Sequence, residues 1–154
     1  MPTTQAAAPT ITSAGTRPAT PRKLFVTLPV GDLQRAVTFY EALGFTFHPQ
    51  FTDATTAAML VGEDAYAMLM ARERFATFTT RRTADPREAT GALHALSAES
   101  RAEVDALVQR AVAAGGAPGP DRQDHGFMYE WSFEDPDGHQ WGVFWMDPSV
   151  VAGG

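Results

Sequence analysis

Apolar and polar side chains alternate with a period of two on both sides of a tetrapeptide, Asp135-Pro136-Asp137-Gly138, in the stretch FMYEWSFEDPDGHQWGVFWM from Phe127 to Met146. Pro suits the second position of a turn and Gly the positive φ that closes one, so the stretch predicts a β-hairpin. Tyr129, Trp131 and Phe133 alternate with Met128, Glu130, Ser132 and Glu134, which makes one side of the first strand bulky and the other mixed. In the second strand Trp141, Val143 and Trp145 oppose Gln140, Gly142, Phe144 and Met146. A strand apolar on both sides is covered on both, by a helix on one side and a ligand cavity or partner chain on the other. A well-filled core is the plainer reading.

The rest of the chain repeats a simple unit. Residues 23–30 predict a strand, Asp32 an N-cap, and Leu33, Ala36, Val37, Tyr40 and Leu43 a helix stopped by Gly44. Three shorter strands are predicted over Phe45 to Phe51, Thr55 to Val61 and Tyr66 to Ala71. Residues 72–91, richer in charge and Thr, read as a connector. The order then recurs, with a strand over 92–98 and a capping box at Ser100 and Glu103. A helix follows through Val104, Leu107, Val108, Ala111 and Val112 to Gly115-Gly116. Residues 117–124 hold a short irregular strand before the hairpin. The fold class predicted is α+β, two βαβββ modules, each a sheet with a helix on one face.

Residues 1–22, rich in Ala, Thr and Pro, predict a disordered tail, and 149–154 form a second tail. Between them lies one domain, residues 23–148, made of module one (23–71), the connector (72–91) and module two (92–147). With 12 Lys and Arg against 18 Asp and Glu, a net charge of −6 argues against nucleic acid as a partner. No apolar run reaches the roughly 20 residues that cross a bilayer, so no membrane partner is expected. The chain has no Cys, which leaves out disulfides and thiolate chemistry and suits a cytoplasmic location.

Several motifs together resemble a known family. They are Leu28-Pro29-Val30-Gly31-Asp32-Leu33 followed by Phe39-Tyr40-Glu41-Ala42-Leu43-Gly44-Phe45, the helix ending Ala114-Gly115-Gly116, and Asp135-Pro136-Asp137-Gly138 before the last strand. In this order and spacing they resemble the glyoxalase, bleomycin-resistance and extradiol-dioxygenase superfamily, the vicinal oxygen chelate fold. Asp124-His125-Gly126-Phe127-Met128-Tyr129 is similar to small bacterial proteins of the lactoylglutathione-lyase-like kind. The resemblance implies paired modules forming a half-open barrel, and homodimers.

It also implies a divalent metal held by His and Glu or Gln from the first and last strands of each module. Here the first-strand position falls on Phe25, its counterpart on Leu93 or Leu96 depending on register, and the last-strand position on Gly142. None of these side chains offers an oxygen or nitrogen donor. No metal ligand and no cofactor is therefore predicted; the alternative is a divalent ion (Zn, Ni, Mn or Fe) at a relocated site. Without such an ion the shared isomerase and dioxygenase chemistry loses its Lewis acid.

The residues predicted to line a cup are mostly apolar: Phe25, Thr27, Met68, Met70, Phe144 and Met146, with Tyr129 and Trp131 on a neighbouring face. Met adapts to irregular shapes and aromatic rings offer flat surfaces, a combination suited to a small organic ligand. Among the four His, His94 points to the helix side, His139 packs a turn and His48 sits at a rim. His125 and Glu130 are the candidates for a catalytic role, with His139 as a third member. Three functions stay open: a metal-free binder of small molecules, an enzyme of the glyoxalase or dioxygenase kind with a relocated site, and a structural or regulatory protein.

Overall fold

The computed structural model describes residues 6–151. The outer ends of both predicted tails, 1–5 and 152–154, lie outside the described residues, and residues 6–23 carry no helix or strand. The first sheet runs in the order β1-β4-β3-β2, from β1 (Leu24–Val30), β2 (Thr46–Phe47), β3 (Thr56–Gly62) and β4 (Ala65–Ala71). Helix α1 (Leu33–Ala42) makes the crossover that sets β1 parallel to β4. The second sheet repeats the plan with β5 (His94–Ala98), α3 (Arg101–Ala113), β6 (Ala117–Pro118), β8 (Met128–Glu134) and β9 (Gln140–Met146). A two-residue β7 (Gln123–Asp124) pairs with β8 off the main path. The connector opens with a single turn, α2 (Arg72–Phe75), and the described chain closes with α4 (Pro148–Val151). Among the described residues no helix is long and apolar enough to cross a membrane.

Local signals explain the ends of the helices. Asp32 accepts a hydrogen bond from the Arg35 N–H at 3.0 Å, and Ser100 accepts one from the Glu103 N–H, also at 3.0 Å. The Glu103 carboxylate reaches back to the Glu99 N–H, one residue beyond the N-cap N–H of an ordinary capping box. Gly44 and Gly115 stop the two helices at φ of 99° and 109°. The strand predicted over Phe45 to Phe51 is corrected to Thr46–Phe47 alone. Pro49 brings no N–H to a ladder, His48 accepts from the Gln50 N–H, and a 3-10 turn over Pro49–Phe51 replaces the strand.

One core serves both modules. Leu28, Val30, Met59 and Leu69 of the first sheet join Phe39 and Tyr40 of α1, and continue into Val104 and Val108 of α3 and Phe133, Trp141 and Val143 of the second sheet. Phe39 touches Phe133 and Tyr40 touches Trp141, with ring centroids 6.1 and 5.9 Å apart. Because side chains alternate along a strand, this core sets the opposite face of each sheet. In the first sheet that face carries Phe25 opposite Tyr66 and Thr27 opposite Met68; in the second it carries Glu130 opposite Phe144 and Gly142 opposite Ser132.

The seam between the modules as a candidate site

The hairpin turn of the second module is fastened to the first module through four polar groups. Asp135 accepts from the Asp137 and His139 N–H groups with one oxygen, at 3.0 and 2.9 Å, and from the Tyr40 hydroxyl with the other, at 2.5 Å. The Tyr40 oxygen in turn accepts from the Trp141 indole N–H at 2.9 Å. Asp137 accepts from the Gly31 N–H at 2.8 Å and from the Arg35 guanidinium at 3.2 Å. His139 Nε2 lies 2.7 Å from the Pro29 carbonyl; a carbonyl only accepts, so this nitrogen carries the proton. Burial pushes the Asp135 carboxyl above its usual range, and burial with the Asp135 charge pushes the Tyr40 hydroxyl well above its own. Tyr40 therefore remains a donor.

This fastening leaves an apolar pocket of about 280 Å³ between the modules. Its walls come from three places: Val26 to Pro29 of the edge strand β1, Ala92 and His94 with Gly138, His139 and Gln140 of the second module, and Phe75, Thr83, Ala84, Pro86, Ala89, Thr90 and Gly91 of the connector. The connector is tied down by an Arg72–Asp85 ion pair at 3.7 Å and by the Arg87 guanidinium on the Pro136 carbonyl.

His94 is one of the polar residues that line the pocket. Its ring packs on the Trp141 indole at 4.9 Å and stands 6.5 Å from the His139 ring. Among the described residues neither of its ring nitrogens has a hydrogen-bond partner. Partial burial, and then the neighbouring His139, hold its imidazole below the usual range. A His with a lowered folded value costs stability only in acid: its contribution is present above 6.5 and is lost as pH falls from there through the folded value. We expect His94→Gln to flatten the slope of unfolding free energy in that window, measured by urea denaturation between pH 5 and pH 7; an unchanged slope would refute the assignment.

The residues predicted to line a cup divide into two groups. Phe25, Thr27, Met68 and Met70 share the outer face of the first sheet, and Phe144 and Met146 share the outer face of the second with Glu130. Tyr129 and Trp131 do not join them. They alternate to the helix side, where Tyr129 donates to Asp105 of α3 at 2.7 Å and Arg122 lies 4.3 Å over the Trp131 ring. Of the whole predicted set, only Thr27 lines the seam pocket.

His125 and Glu130 do come together, 3.6 Å apart and both partly exposed. His139 is not with them. Glu130 pairs with Phe144 and Glu134 with Gln140, so Glu130 and Glu134 lie about 13 Å apart along β8 at roughly 3.3 Å per residue, with His139 beyond the second.

The positions where relatives would place metal donors do not suit an ion. Phe25 stacks on Tyr66 at 4.7 Å. Leu96 is buried in the core on the helix side, whereas Leu93 is 73% exposed and lines one hollow with Gly142. Of these two leucines, Leu93 is the one on the hollow. In that hollow the Glu134 carboxylate already accepts from the Gln140 amide at 3.4 Å. Among the described residues no three His, Cys, Asp or Glu side chains converge.

Sequence-based reasoning read His94 and His139 as packing residues on separate elements. What it missed is their convergence with β1 and the connector on one pocket. The one available signal was the Asp-Pro-Asp-Gly-His order itself, which places an imidazole directly after the turn.

The family pattern described as the Glyoxalase/Bleomycin resistance protein/Dioxygenase superfamily matches residues 24–143. No curated protein matches the chain. Among solved structures, a hypothetical protein from S. aureus is 24% identical, with 82% of this chain and 94% of that chain covered and a TM-score of 0.70. A glyoxalase-related enzyme from Fulvimarina pelagi is 23% identical over 79% of this chain and 85% of its own, with a TM-score of 0.68. A fosfomycin resistance protein from Mesorhizobium loti is 16% identical over 84% and 95%, with a TM-score of 0.60. At these identities the likeness is one of fold.

Proposed function

Because the chain belongs to the Glyoxalase/Bleomycin resistance protein/Dioxygenase superfamily, we propose that it is a member that binds a small organic molecule without chelating it on a divalent ion. The observation that carries this reading is the seam pocket, walled by both modules and the connector and mostly apolar, in a chain whose family donor positions hold Phe25, Leu93 or Leu96, and Gly142. A pocket of this kind supplies shape and apolar contact, while a few polar groups set orientation. Bleomycin-like compounds and other aromatic molecules are the first ligands to try. Leu24, Phe25 and Leu93, 61%, 51% and 73% exposed, support a homodimer as part of the same proposal.

A ligand that binds only the native state raises its stability by about 2.7 kcal/mol at a hundredfold excess over Kd. The expected result is a concentration-dependent rise in melting temperature of several degrees with at least one aromatic compound. Flat curves across a broad panel would refute the proposal.

The contact between His125 and Glu130 favours one second reading, a divalent-metal-dependent lyase or dioxygenase with a relocated site. Metal analysis of the purified protein separates the two. A stoichiometric ion that is lost in both His125→Ala and Glu130→Gln would establish the second reading and overturn the first.

A further inference from the structure

The seam pocket, taken as the ligand site on the reading above, also has a chemistry that narrows what it accepts. None of its lining residues is Lys, Arg, Asp or Glu. An anion or cation placed there would lose its water and gain no countercharge, a cost of several kcal/mol. The ligand class is therefore uncharged. An apolar cavity of about 150 Å³ accommodates a benzene ring. A space of about 280 Å³ has room for a substituted ring or a fused pair.

His94 then sets the polar requirement. Its ring is held from behind by Trp141, and His139, the other imidazole in the wall, already donates its Nε2 proton to the Pro29 carbonyl. A neutral imidazole presents one donor and one acceptor, which matches a hydroxyl group, itself both donor and acceptor. The flat apolar surfaces of Pro29, Phe75 and Pro86 suit an aromatic ring on the remaining sides. The geometry points to His94 as the recognition residue for a neutral, one- or two-ring aromatic ligand bearing a hydroxyl group.

Three para-substituted toluenes test this at pH 8: p-cresol, p-xylene and p-toluate, titrated by calorimetry, with amide shifts at Gly91 and Ala92 locating the site. One well-made hydrogen bond in an apolar pocket corresponds to about tenfold in affinity. The expected order is p-cresol about tenfold tighter than p-xylene, with p-toluate weakest. His94→Phe is expected to remove the preference for p-cresol over p-xylene, and His94→Gln to keep part of it. Melting temperatures of both variants show whether each is folded, and the three-probe comparison on the unaltered protein stands even if one is not. Equal binding of p-cresol and p-xylene, or tightest binding of p-toluate, overturns the role of His94 and leaves the binding pocket standing. If no probe shifts Gly91 or Ala92, both this inference and the pocket reading fall.

Discussion

Tyr40→Phe is expected to lower the free energy of unfolding by about 3 kcal/mol, out of the roughly 5–15 kcal/mol a domain has in total. The substitution removes one oxygen and leaves the ring in its core position. It costs Asp135 the donor at 2.5 Å and leaves the buried Trp141 N–H without its acceptor at 2.9 Å. Each stranded group costs about 1–3 kcal/mol, more where the group is charged. The measurement is a urea midpoint at constant m-value. A loss under about 0.5 kcal/mol would mean that water replaces the hydroxyl at no cost and that the seam is not fastened here.

The same carboxylate gives the seam an unusual dependence on pH. Asp135 is held above its ordinary value by burial, so the folded state binds its proton more tightly than the unfolded chain. Its contribution is fully present in acid below the ordinary value of 3.8 and is lost as pH rises through the folded value. That is opposite in sign to His94. Asp135 thus favours the native state in acid while His94 weakens it there.

Gly138→Ala is expected to be the second most damaging change, by about 2–4 kcal/mol, and to abolish the ligand-induced rise in melting temperature. Gly138 has φ of 95°, a conformation that costs a residue with a Cβ about 1–2 kcal/mol. The added Cβ would also fall 2.7 Å from the Arg87 side chain and 3.0 Å from its backbone nitrogen. The side chain can swing aside. The backbone belongs to the connector that walls the pocket, so relief there means opening the site. Adding Arg87→Ala to Gly138→Ala should restore only the side-chain share; full recovery of ligand binding would show that the connector backbone never had to move.

Features built from neighbours along the chain were legible in the sequence. Asp32 and Ser100 cap the helices, Gly44 and Gly115 end them, and Asp135 to Gly138 turns the hairpin, because each acts through atoms a few residues away. The period-two pattern also placed Phe25, Thr27, Met68 and Met70 on one face, since alternation along a strand is a property of the backbone. The same pattern could not say which face of the second sheet met α3; the packing puts Tyr129 and Trp131 on that helix side.

Sequence alone determined the two βαβββ modules and their family, and it put Phe25, Leu93 or Leu96, and Gly142 at the family's donor positions. Tertiary structure decided where the modules meet. The bond from Tyr40 to Asp135 joins residues 95 positions apart, and that from His139 to Pro29 joins residues 110 apart. Local periodicity contains no information over such separations, because which polar groups pair across a seam depends on the packing of side chains from both modules into one core. Only after that packing is in place do His94, β1 and the connector enclose a common space.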